Sequence, residues 1–303
     1  MKFGVALPHI GPGAGPQAII EVAQKAESFG FDSVWALDRL LWPLHPMSKY
    51  PGNPRGELPA VMQIVYEPLT VLTFVAAHTR KVRLGTSVLV AAYRSPVLAA
   101  KIGATLDALS NGRLILGLGA GWSADEFTAA NQSIEERDAR TDEFIIAVRE
   151  LWTANEPSFS GRYYRFPPSI FLPRPVQKPH PPIWIGGNSR RAVRRAAELG
   201  DGWHPTSRLN PTAFAEEVKY LRRAAEEAGR DPDRITLSLR WNALPELRDK
   251  IQIETVCRTL RGYRETGVQH ICFDLNIPQP RSLAAMLEIM ERLKEISVSF
   301  EQK

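Results

Sequence analysis

The sequence predicts an α/β protein whose strands close into a (β/α)₈ barrel, also called a TIM barrel. Short apolar runs alternate with segments of helical periodicity along the whole chain, and there are eight such pairs. The first two strands, and likewise the third and fourth, begin about 30 residues apart, the usual length of one strand–helix unit. Such alternation indicates a parallel sheet, and eight units close most naturally into a barrel. The alternative is an open doubly wound sheet, which seldom needs eight units. We therefore expect residues 1–303 to form one barrel domain.

Each predicted strand is a short apolar run, and each predicted helix follows it with a broad apolar face. The strands are predicted at residues 3–7, 33–37, 82–90, 113–118, 182–185, 201–203, 235–239 and 269–273. The helices are predicted at residues 16–29, 68–78, 96–109, 138–152, 190–199, 211–228, 254–266 and 283–294. The first helix starts after a Gly/Pro loop and ends before Gly30, because glycine suits the position that follows a helix C-terminus.

Two proline-rich segments interrupt this alternation. Residues 38–67 follow the second strand and contain five prolines, and residues 156–182 precede the fifth strand and contain eight. Long loops inside a compact domain are usually lids or binding loops. The first segment starts at the C-terminal end of a strand, where barrel active sites lie. We therefore expect the first to act as a lid, whereas the second is a binding loop or surface decoration.

Composition excludes several classes of protein. The hydrophobic fraction of 44% and the charged fraction of 23% are those of a globular chain. The net charge of +5 is modest and spread over many helices, so we expect no nucleic-acid partner. No apolar run approaches the ~18 residues of a membrane span. The two cysteines cannot form a disulfide framework. The N-terminal stretch MKFGVALPHIG lacks the apolar region of a signal peptide, so we expect a cytoplasmic protein.

The strongest local motif follows the fifth predicted strand. It contains Gly186 and Gly187, then Asn188 and Ser189, and a helix begins at Arg190. Glycines let the backbone approach a ligand closely, and Asn or Ser caps a helix whose free N–H groups attract anions. Four arginines lie in the first two turns of this helix, where the helix dipole normally favours carboxylates. The motif therefore predicts a phosphate-binding loop; the plain alternative is a tight turn with a solvated arginine face.

A second glycine-rich stretch, Gly117-Leu-Gly119-Ala-Gly121-Trp, ends the fourth predicted strand. Its spacing does not match the dinucleotide-binding fingerprint, and no helix begins directly at the glycines. We interpret Gly119 and Gly121 as a backbone platform against which a flat ring can lie. Asp125 and Glu126 follow in the same loop, and one of them is a candidate to face the pocket.

At the end of the second strand, Asp38 and Arg39 place a carboxylate and a cation at the expected barrel mouth. The carboxylate is a candidate to hold a ligand or move a proton, and the plain alternative is a structural ion pair at the rim.

The histidines show no metal-binding spacing, so we expect no metal, and no G-x-S-x-G nucleophile motif occurs. Such a protein takes its chemistry from a cofactor.

The chain resembles the bacterial-luciferase-like superfamily of flavin and deazaflavin oxidoreductases, and most closely its coenzyme F420-dependent branch. The resemblance covers nearly the whole chain. The stretches that carry it are FGVALPHIG, GFDSVWALDRLLWP, VRLGTSVLVAAYRSPVLAAKIGATLDALSNGRLILGLGAGWSADEF and PRPVQKPHPPIWIGGNSRRAVRRAAELGDGWHP.

This resemblance implies a luciferase-like (β/α)₈ barrel with insertions after strand 2 and before strand 5, and a cofactor ring at its C-terminal mouth. It implies a non-prolyl cis peptide at Ser87-Val88, behind the ring, and an aspartate near the cofactor at Asp38. It also implies a phosphate loop from Gly186 through Asn188 and Ser189, and a ring-side loop at Gly119 and Gly121. One residue departs from the pattern, because many deazaflavin members have histidine where this chain has Arg39.

Arginine stays charged, so Arg39 cannot act as a general acid or base near neutral pH. Its expected role is to bind an anionic ring or substrate, and proton delivery is left to Asp38, Glu126, His9 or water. Arg190 and the other arginines of its helix are expected to bind the acidic cofactor tail. Asp38, Arg39 and Glu126 are thus the catalytic candidates.

The resemblance implies an oxidoreductase that transfers a hydride between coenzyme F420 and a small organic substrate. One alternative is an FMN-dependent monooxygenase that uses reduced flavin from a separate reductase, together with oxygen. Another is a flavin-binding protein without catalytic activity. Family members usually pair through outer helices, so we also expect a homodimer. The sequence does not identify the substrate.

Overall fold

Eight parallel strands form a closed barrel, as the sequence predicts. The structure is a computed structural model that describes residues 1–242, 244, 245, 247–277 and 281–301. The barrel strands are β1 (Lys2–Ala6), β2 (Ser33–Ala36), β3 (Arg83–Thr86), β4 (Leu114–Gly119), β5 (Ile183–Gly186), β6 (Gly202–His204), β7 (Thr236–Trp241) and β8 (His270–Phe273). Each strand pairs in parallel with the next, and β8 pairs with β1 to close the sheet.

The helices surround this barrel. They are α1 (Pro16–Phe29), α2 (Pro68–His78), α3 (Pro96–Leu109), α4 (Ala124–Ala129), α5 (Arg137–Thr153), α6 (Arg190–Leu199), α7 (Pro211–Glu227), α8 (Lys250–Glu265) and α9 (Leu283–Glu301). Short 3₁₀ helices occur at Ala60–Gln63, Ala91–Tyr93 and Pro232–Arg234. Within the part of the chain that the structure describes, no helix combines the length and apolar character needed to cross a membrane.

The structure corrects the predicted elements in three places. The strand predicted at residues 82–90 is divided into β3 and a short piece, Leu89–Val90, with a cis peptide at Ser87-Val88 between them. Both pieces pair with β4, so the barrel stays closed across the interruption. The short helix α4 was not predicted. A small hairpin of Phe159–Ser160 and Arg165–Phe166 lies inside the segment that was predicted to be a loop.

Strand β4 shows how the core is divided between two layers. Leu114, Leu116 and Leu118 point outward into the main apolar cluster between strands and helices. Ile115 alternates with them and belongs to a separate cluster inside the barrel. This alternation follows from the two-residue period of a strand. The outer layer is the larger one, as expected for a barrel whose interior holds only a few side chains.

Two tryptophans fill most of the barrel interior. The rings of Trp35 on β2 and Trp184 on β5 stack with their centroids 5.3 Å apart. Space for them comes from glycines: a Cβ on Gly85 would lie 2.3 Å from Trp35, and one on Gly202 would lie 2.6 Å from Trp184. These glycines therefore serve packing, since the indoles occupy the volume that their side chains would need.

The barrel wall is also tight between β3 and β4. A Cβ on Gly117 would lie 1.9 Å from the backbone oxygen of Thr86, which is a backbone contact that cannot relax by rotation of a side chain.

We expect Gly117→Ala to lower the free energy of unfolding by about 3 kcal/mol, the upper end of the usual range for overpacking, because the strand backbones themselves must move apart. The matched control is Gly13→Ala, where a Cβ meets nothing within 4 Å. Urea unfolding should show a change within about 0.5 kcal/mol for the control; equal stabilities of the two variants would contradict this account.

Candidate active site

A cleft of about 430 Å³ opens at the C-terminal ends of the barrel strands. Its walls come from the ends of β2 to β7 and from the segment after β2, of which Tyr50, Pro51, Gly52 and Met62 line the cleft. Of the residues that the sequence predicted for the site, those that line it are Asp38, Arg39, Ser87, Val88, Gly119, Gly121, Gly186, Gly187, Asn188 and Ser189. Two predicted residues, Glu126 and Arg190, are not among the lining residues.

The loop after β5 has the geometry of an anion cradle. Gly187 has a φ of 116°, which L-amino acids with a side chain rarely adopt, and it turns the chain from β5 toward α6. The Ser189 hydroxyl accepts a hydrogen bond of 3.2 Å from the backbone N–H of Ala192, so Ser189 caps the helix. Asn188 instead binds the loop after β6 through both the backbone and the hydroxyl of Thr206. The Trp203 indole N–H donates to the Gly187 carbonyl at 3.0 Å. The cradle is thus held in place from several sides.

The arginine cluster of α6 is neutralised by protein carboxylates, which the sequence interpretation did not foresee. Arg190, predicted to bind the cofactor, is ion-paired with Glu217 at 3.4 Å and lies over the Tyr220 ring, outside the cleft. Arg195 is buried, lines the cleft and pairs with Asp138 at 2.8 Å and with Asp142. The helix periodicity explains the difference, because residues five positions apart on a helix face different directions.

Glycines at the floor of the cleft make room for Val88. A Cβ on Gly119 would lie 2.5 Å from one methyl group of Val88, and a Cβ on Gly186 would lie 2.5 Å from the other. Gly119 was expected to let a ring lie against bare backbone, and Gly186 to belong to a phosphate loop. In the structure both also make room for the Val88 side chain, which itself lines the cleft.

Asp38 is fully engaged by Arg94. The Arg94 guanidinium donates to both carboxylate oxygens of Asp38, and the backbone N–H of Val90 donates to one of them at 3.0 Å. The Asp38 side chain has 0% exposure. Both carboxylate oxygens are therefore occupied by donors from the protein itself. This arrangement fixes the end of β2 against the segment that follows β3.

Arg39 and Glu126 form a loose buried pair beside the cleft. Nη1 of Arg39 lies 3.6 Å from Oε2 of Glu126, and both side chains are 4% exposed. The Glu126 carboxylate also accepts from the backbone N–H groups of Leu40 and Leu41. Burial raises the pKa of Glu126, although these N–H groups and Arg39 act in the opposite direction. Glu126 therefore supports the loop that carries Arg39.

A chain of hydrogen bonds runs from the cleft through the barrel interior. Ser87 Oγ lies 2.9 Å from Nε2 of His204, and Nδ1 of His204 lies 2.8 Å from Ser238 Oγ. Ser238 Oγ is 2.8 Å from Nδ1 of His270, whose Nε2 is 2.7 Å from Ser33 Oγ. The Trp35 indole N–H donates to Ser33 Oγ at 2.8 Å. The five side chains from Ser87 to Ser33, together with Trp35, form what we call the serine–histidine chain.

The Trp35 N–H sets the direction of this chain, because an indole can only donate. The Ser33 hydroxyl accepts from Trp35, and its own hydrogen has one acceptor within reach, Nε2 of His270. His270 must then donate from Nδ1 to Ser238. The opposite direction would leave the hydrogen of fully buried Ser33 without an acceptor, at a cost of about 1–3 kcal/mol.

The same reasoning continues to the cleft. Ser238 donates to Nδ1 of His204, and His204 donates from Nε2 to Ser87. The hydroxyl hydrogen of Ser87 is therefore free to donate to a molecule in the cleft. The serine–histidine chain therefore fixes the orientation of the Ser87 hydroxyl. Its other end is the buried Trp35, where no solvent is in contact to replace a proton, so the chain does not serve as a proton relay.

Burial keeps both histidines of the chain neutral. It lowers the pKa of His270 to about 3 and holds the pKa of His204 well below its ordinary value. Burial also lowers the pKa of His9, whose Nδ1 donates to the Leu7 carbonyl and whose Nε2 accepts from the Leu37 N–H. His9 has both ring nitrogens bonded and is not a lining residue, so it too is a poor proton donor to the cleft.

Several residues of the cleft had no signal in the sequence. Arg94 is 56 positions from Asp38, and no local pattern links them. Arg240 donates to the Ser87 carbonyl at 2.8 Å and pairs with Asp274. The pairing of His204 and His270 with serines on neighbouring strands depends on the register of those strands, which no local pattern gives. Among the residues at 1–242, 244, 245, 247–277 and 281–301, no three His, Cys, Asp or Glu side chains are grouped as metal ligands.

A closed parallel barrel with an anion cradle after its fifth strand and a cleft at its C-terminal mouth defines a ligand-binding (β/α)₈ barrel of the kind enzymes use. The model of the luciferase-like monooxygenase family matches residues 1–245, so this chain belongs to that family. The family resemblance drawn from the sequence is thereby confirmed.

Its relatives include proteins of both cofactor types. Over 290 residues the chain is 30% identical to an uncharacterized protein of Mycobacterium tuberculosis (strain ATCC 25618 / H37Rv), covering 95% of this chain and 96% of the relative. It is 33% identical to the F420-dependent glucose-6-phosphate dehydrogenase of Amycolatopsis mediterranei (strain U-32), covering 73% of this chain and 63% of that one. It is 34% identical to the FMNH(2)-dependent dimethylsulfone monooxygenase of Pseudomonas putida, and the match covers 54% of this chain and 46% of that protein.

Among solved structures, monooxygenase RslO1 from Streptomyces bottropensis superposes with a TM-score of 0.80 at 25% identity. The match covers 99% of this chain and 100% of that structure. The fold is therefore shared over nearly the full length of both chains.

The proton positions in the serine–histidine chain can be measured by ¹⁵N NMR of histidine-labelled protein. At pH 7.5 we expect three neutral rings, with the single proton of His204 on Nε2, that of His270 on Nδ1 and that of His9 on Nδ1. In Ser238→Ala, the link between the two rings is lost and the tautomers of His204 and His270 should become mixed, while His9 stays unchanged as the internal control. The opposite tautomers in the wild type would refute the assigned direction.

The same pKa shifts predict how stability depends on pH. Because the folded pKa values of His204 and His270 lie below the ordinary value of about 6.5, the unfolded chain binds protons that the folded chain does not. The free energy of unfolding should therefore fall as the pH drops below about 6.5, by up to about 1.4 kcal/mol per pH unit for each histidine. Urea unfolding of the wild type and of His270→Gln between pH 7 and pH 4.5 tests this: the slope should be shallower in the variant, and equal slopes would count against a neutral His270.

Proposed function

We propose that this protein is an oxidoreductase that transfers a hydride between coenzyme F420 and a small organic substrate. The single observation that carries the proposal is the cleft itself, with an anion cradle at the end of β5 and an apolar floor formed by Val88. A phosphorylated tricyclic ring needs both features at once. The F420-dependent relatives of known name support the choice of cofactor.

The residues of the cleft fit such a cofactor. The free N–H groups of the first turn of α6, beside Ser189 and Gly187, would hold a phosphate. Arg137 lines the same end and adds positive charge near it, whereas Arg195 beside it is neutralised by Asp138 and Asp142. Val88 would support the ring from behind, and the lid residues Tyr50 and Met62 would exclude water from above. When bound, a deazaflavin supplies the hydride chemistry that the side chains of the cleft lack.

The protein's own contribution is orientation. We propose that the Ser87 hydroxyl, with its hydrogen directed into the cleft by His204, donates to an acceptor atom of the bound ring or substrate. A donor fixed before the ligand arrives needs no reorganisation, which strengthens its effect in a site shielded from water. Asp38 holds Arg94 and the bulge of β3 in position, and Glu126 supports the loop that carries Arg39.

A second candidate function is an FMN-dependent monooxygenase that takes reduced flavin from a separate reductase. The specific observation in its favour is the similarity to the FMNH(2)-dependent monooxygenase of Pseudomonas putida. The cradle would bind the phosphate of either cofactor, so the two functions differ in which ring the cleft accepts. Binding without turnover of any substrate would favour a flavin-binding protein that lacks activity.

Titration of the cofactor-free protein with F420 and, separately, with FMN distinguishes these functions, with binding followed by cofactor fluorescence. We expect saturable F420 binding that is at least tenfold tighter than FMN binding. Tight FMN binding with no response to F420 would overturn the proposal and support the monooxygenase.

Variants test whether the cradle carries this binding. Gly187→Ala strains a residue with φ 116° and brings its Cβ to 2.9 Å from that of Ala192, so the cradle should deform and F420 binding should weaken at least tenfold. Gly229→Ala is the matched control, because Gly229 also has a positive φ, 69°, but lies after α7, away from the cleft. Its affinity for F420 should stay within twofold of the wild type. Equal affinities of the two variants would show that the cradle is not the binding site.

A further inference from the structure

Arg39 lines the cleft with much of its guanidinium unused. The residue is 7% exposed, and its Nε and Nη2 atoms are buried without a hydrogen-bond partner among the residues that the structure describes. Its third nitrogen, Nη1, lies 3.6 Å from Glu126, which is an ion-pair distance but too long for a good hydrogen bond. Buried N–H groups without partners are rare and cost about 1–3 kcal/mol each, so this arrangement calls for a functional explanation.

Three other arginines in or beside the cleft, one buried and two half-buried, do not share this feature. Arg195 donates to Asp138 and Asp142, and Arg240 donates to Asp274 and to the Ser87 carbonyl. Arg94 is paired with Asp38 and Glu67. Each of these arginines has a carboxylate as hydrogen-bond acceptor. The two N–H groups of Arg39 without an acceptor are therefore particular to Arg39 and not a general feature of arginines around the cleft.

The identity of the two free nitrogens indicates the ligand. Nε and Nη2 lie on the same edge of the planar guanidinium, and their N–H bonds point in parallel. This edge matches the two oxygens of a carboxylate and forms two parallel hydrogen bonds with it. A neutral carbonyl or hydroxyl offers one oxygen instead of two, so it would accept both N–H groups only in a bent, bifurcated arrangement and would leave the charge unmatched.

The surroundings of Arg39 suit an acid with an apolar body. The guanidinium carbon lies 5.5 Å from the centre of the Trp122 ring, and Tyr50 contacts Trp122 edge-on at 5.3 Å. Both aromatic residues line the cleft. Glu126 is held on the other side by backbone N–H groups, and burial disfavours its charged form. The two nitrogens are shielded from water, which strengthens the hydrogen bonds that they would form with an anion.

We propose that the Nε–Nη2 edge of Arg39 receives the carboxylate of an organic acid substrate, which makes Arg39 a specificity-determining residue. This inference rests on the proposed function and names the substrate class for the same cleft. Arg39 follows β2, and β3 and β4 separate β2 from the cradle after β5. The carboxylate site and the phosphate cradle therefore occupy different parts of the barrel mouth, so an acid and a phosphorylated cofactor can bind together.

Benzoate and benzamide are matched probes, because they differ in the charge and not in the shape of the head group. Calorimetry with the F420-loaded protein should show benzoate binding at least tenfold tighter than benzamide binding.

In ¹⁵N-arginine-labelled protein, benzoate should shift one Nε–H resonance, the one that is absent from Arg39→Lys. Arg39→Lys keeps the charge but loses the paired N–H edge, so benzoate affinity should fall at least tenfold. In the control Arg222→Lys, on an exposed face of α7, it should stay within twofold.

The outcomes separate this inference from the proposed function. If F420 binds normally to both the wild type and Arg39→Lys while benzoate affinity is the same in both, the inference is wrong and the proposed function stands. If Arg39→Lys weakens F420 binding at least tenfold and benzoate competes with F420, Arg39 serves the anionic ring of the cofactor and the substrate assignment is wrong. Absence of F420 binding to the wild type overturns the proposed function itself. Thermal unfolding of each variant establishes that the protein is folded.

Discussion

The indole of Trp35 links the barrel core to the cleft. Its ring stacks on Trp184 and on His204, 4.8 Å away, and fills the barrel interior between them. Its N–H cannot accept a hydrogen bond, so it sets the direction of every hydrogen bond from Ser33 to Ser87. A Cβ on Gly85 would collide with the indole, and one on Gly4 would collide with both Ser33 Oγ and the indole nitrogen. One buried side chain thus determines both the packing of the barrel and the orientation of a hydroxyl donor in the cleft.

Ion pairs form a rigid frame around the mouth of the barrel. Arg94 with Asp38, Arg240 with Asp274 and Arg195 with Asp138 are all buried on at least one side. Breaking such a pair leaves an uncompensated buried charge, which is strongly destabilising. These residues are therefore better suited to hold the strand ends in place than to move protons. The donors left for a ligand are the Ser87 hydroxyl, the first N–H groups of α6 and the free edge of Arg39.

The structure gives two of the sequence motifs a different explanation from the one that the sequence suggested. The arginines of α6 looked like an anion-binding cluster, but their carboxylate partners come from the neighbouring helices α5 and α7, and from α6 itself for Arg194. Gly119 at the end of β4 was interpreted as part of a platform for a ring, and in the structure it makes room for the side chain of Val88. In both cases the residue types were noticed correctly, and the partner that explains them lies on another element of the barrel.

The sequence by itself determined the fold, because the periodicity and the Pro and Gly signals at helix ends are local. Helices α1, α2, α3 and α6 begin and end at the residues that these signals predict. It also located the cradle and the residue pair at the end of β2, since both follow predicted strands directly. Only the tertiary structure decided which side chains meet, such as Arg94 with Asp38 and His204 with Ser87. It also decided that the Nε–Nη2 edge of Arg39 has no hydrogen-bond acceptor among the described residues. Those contacts depend on strand register and on side-chain direction around a closed barrel, which local patterns do not encode.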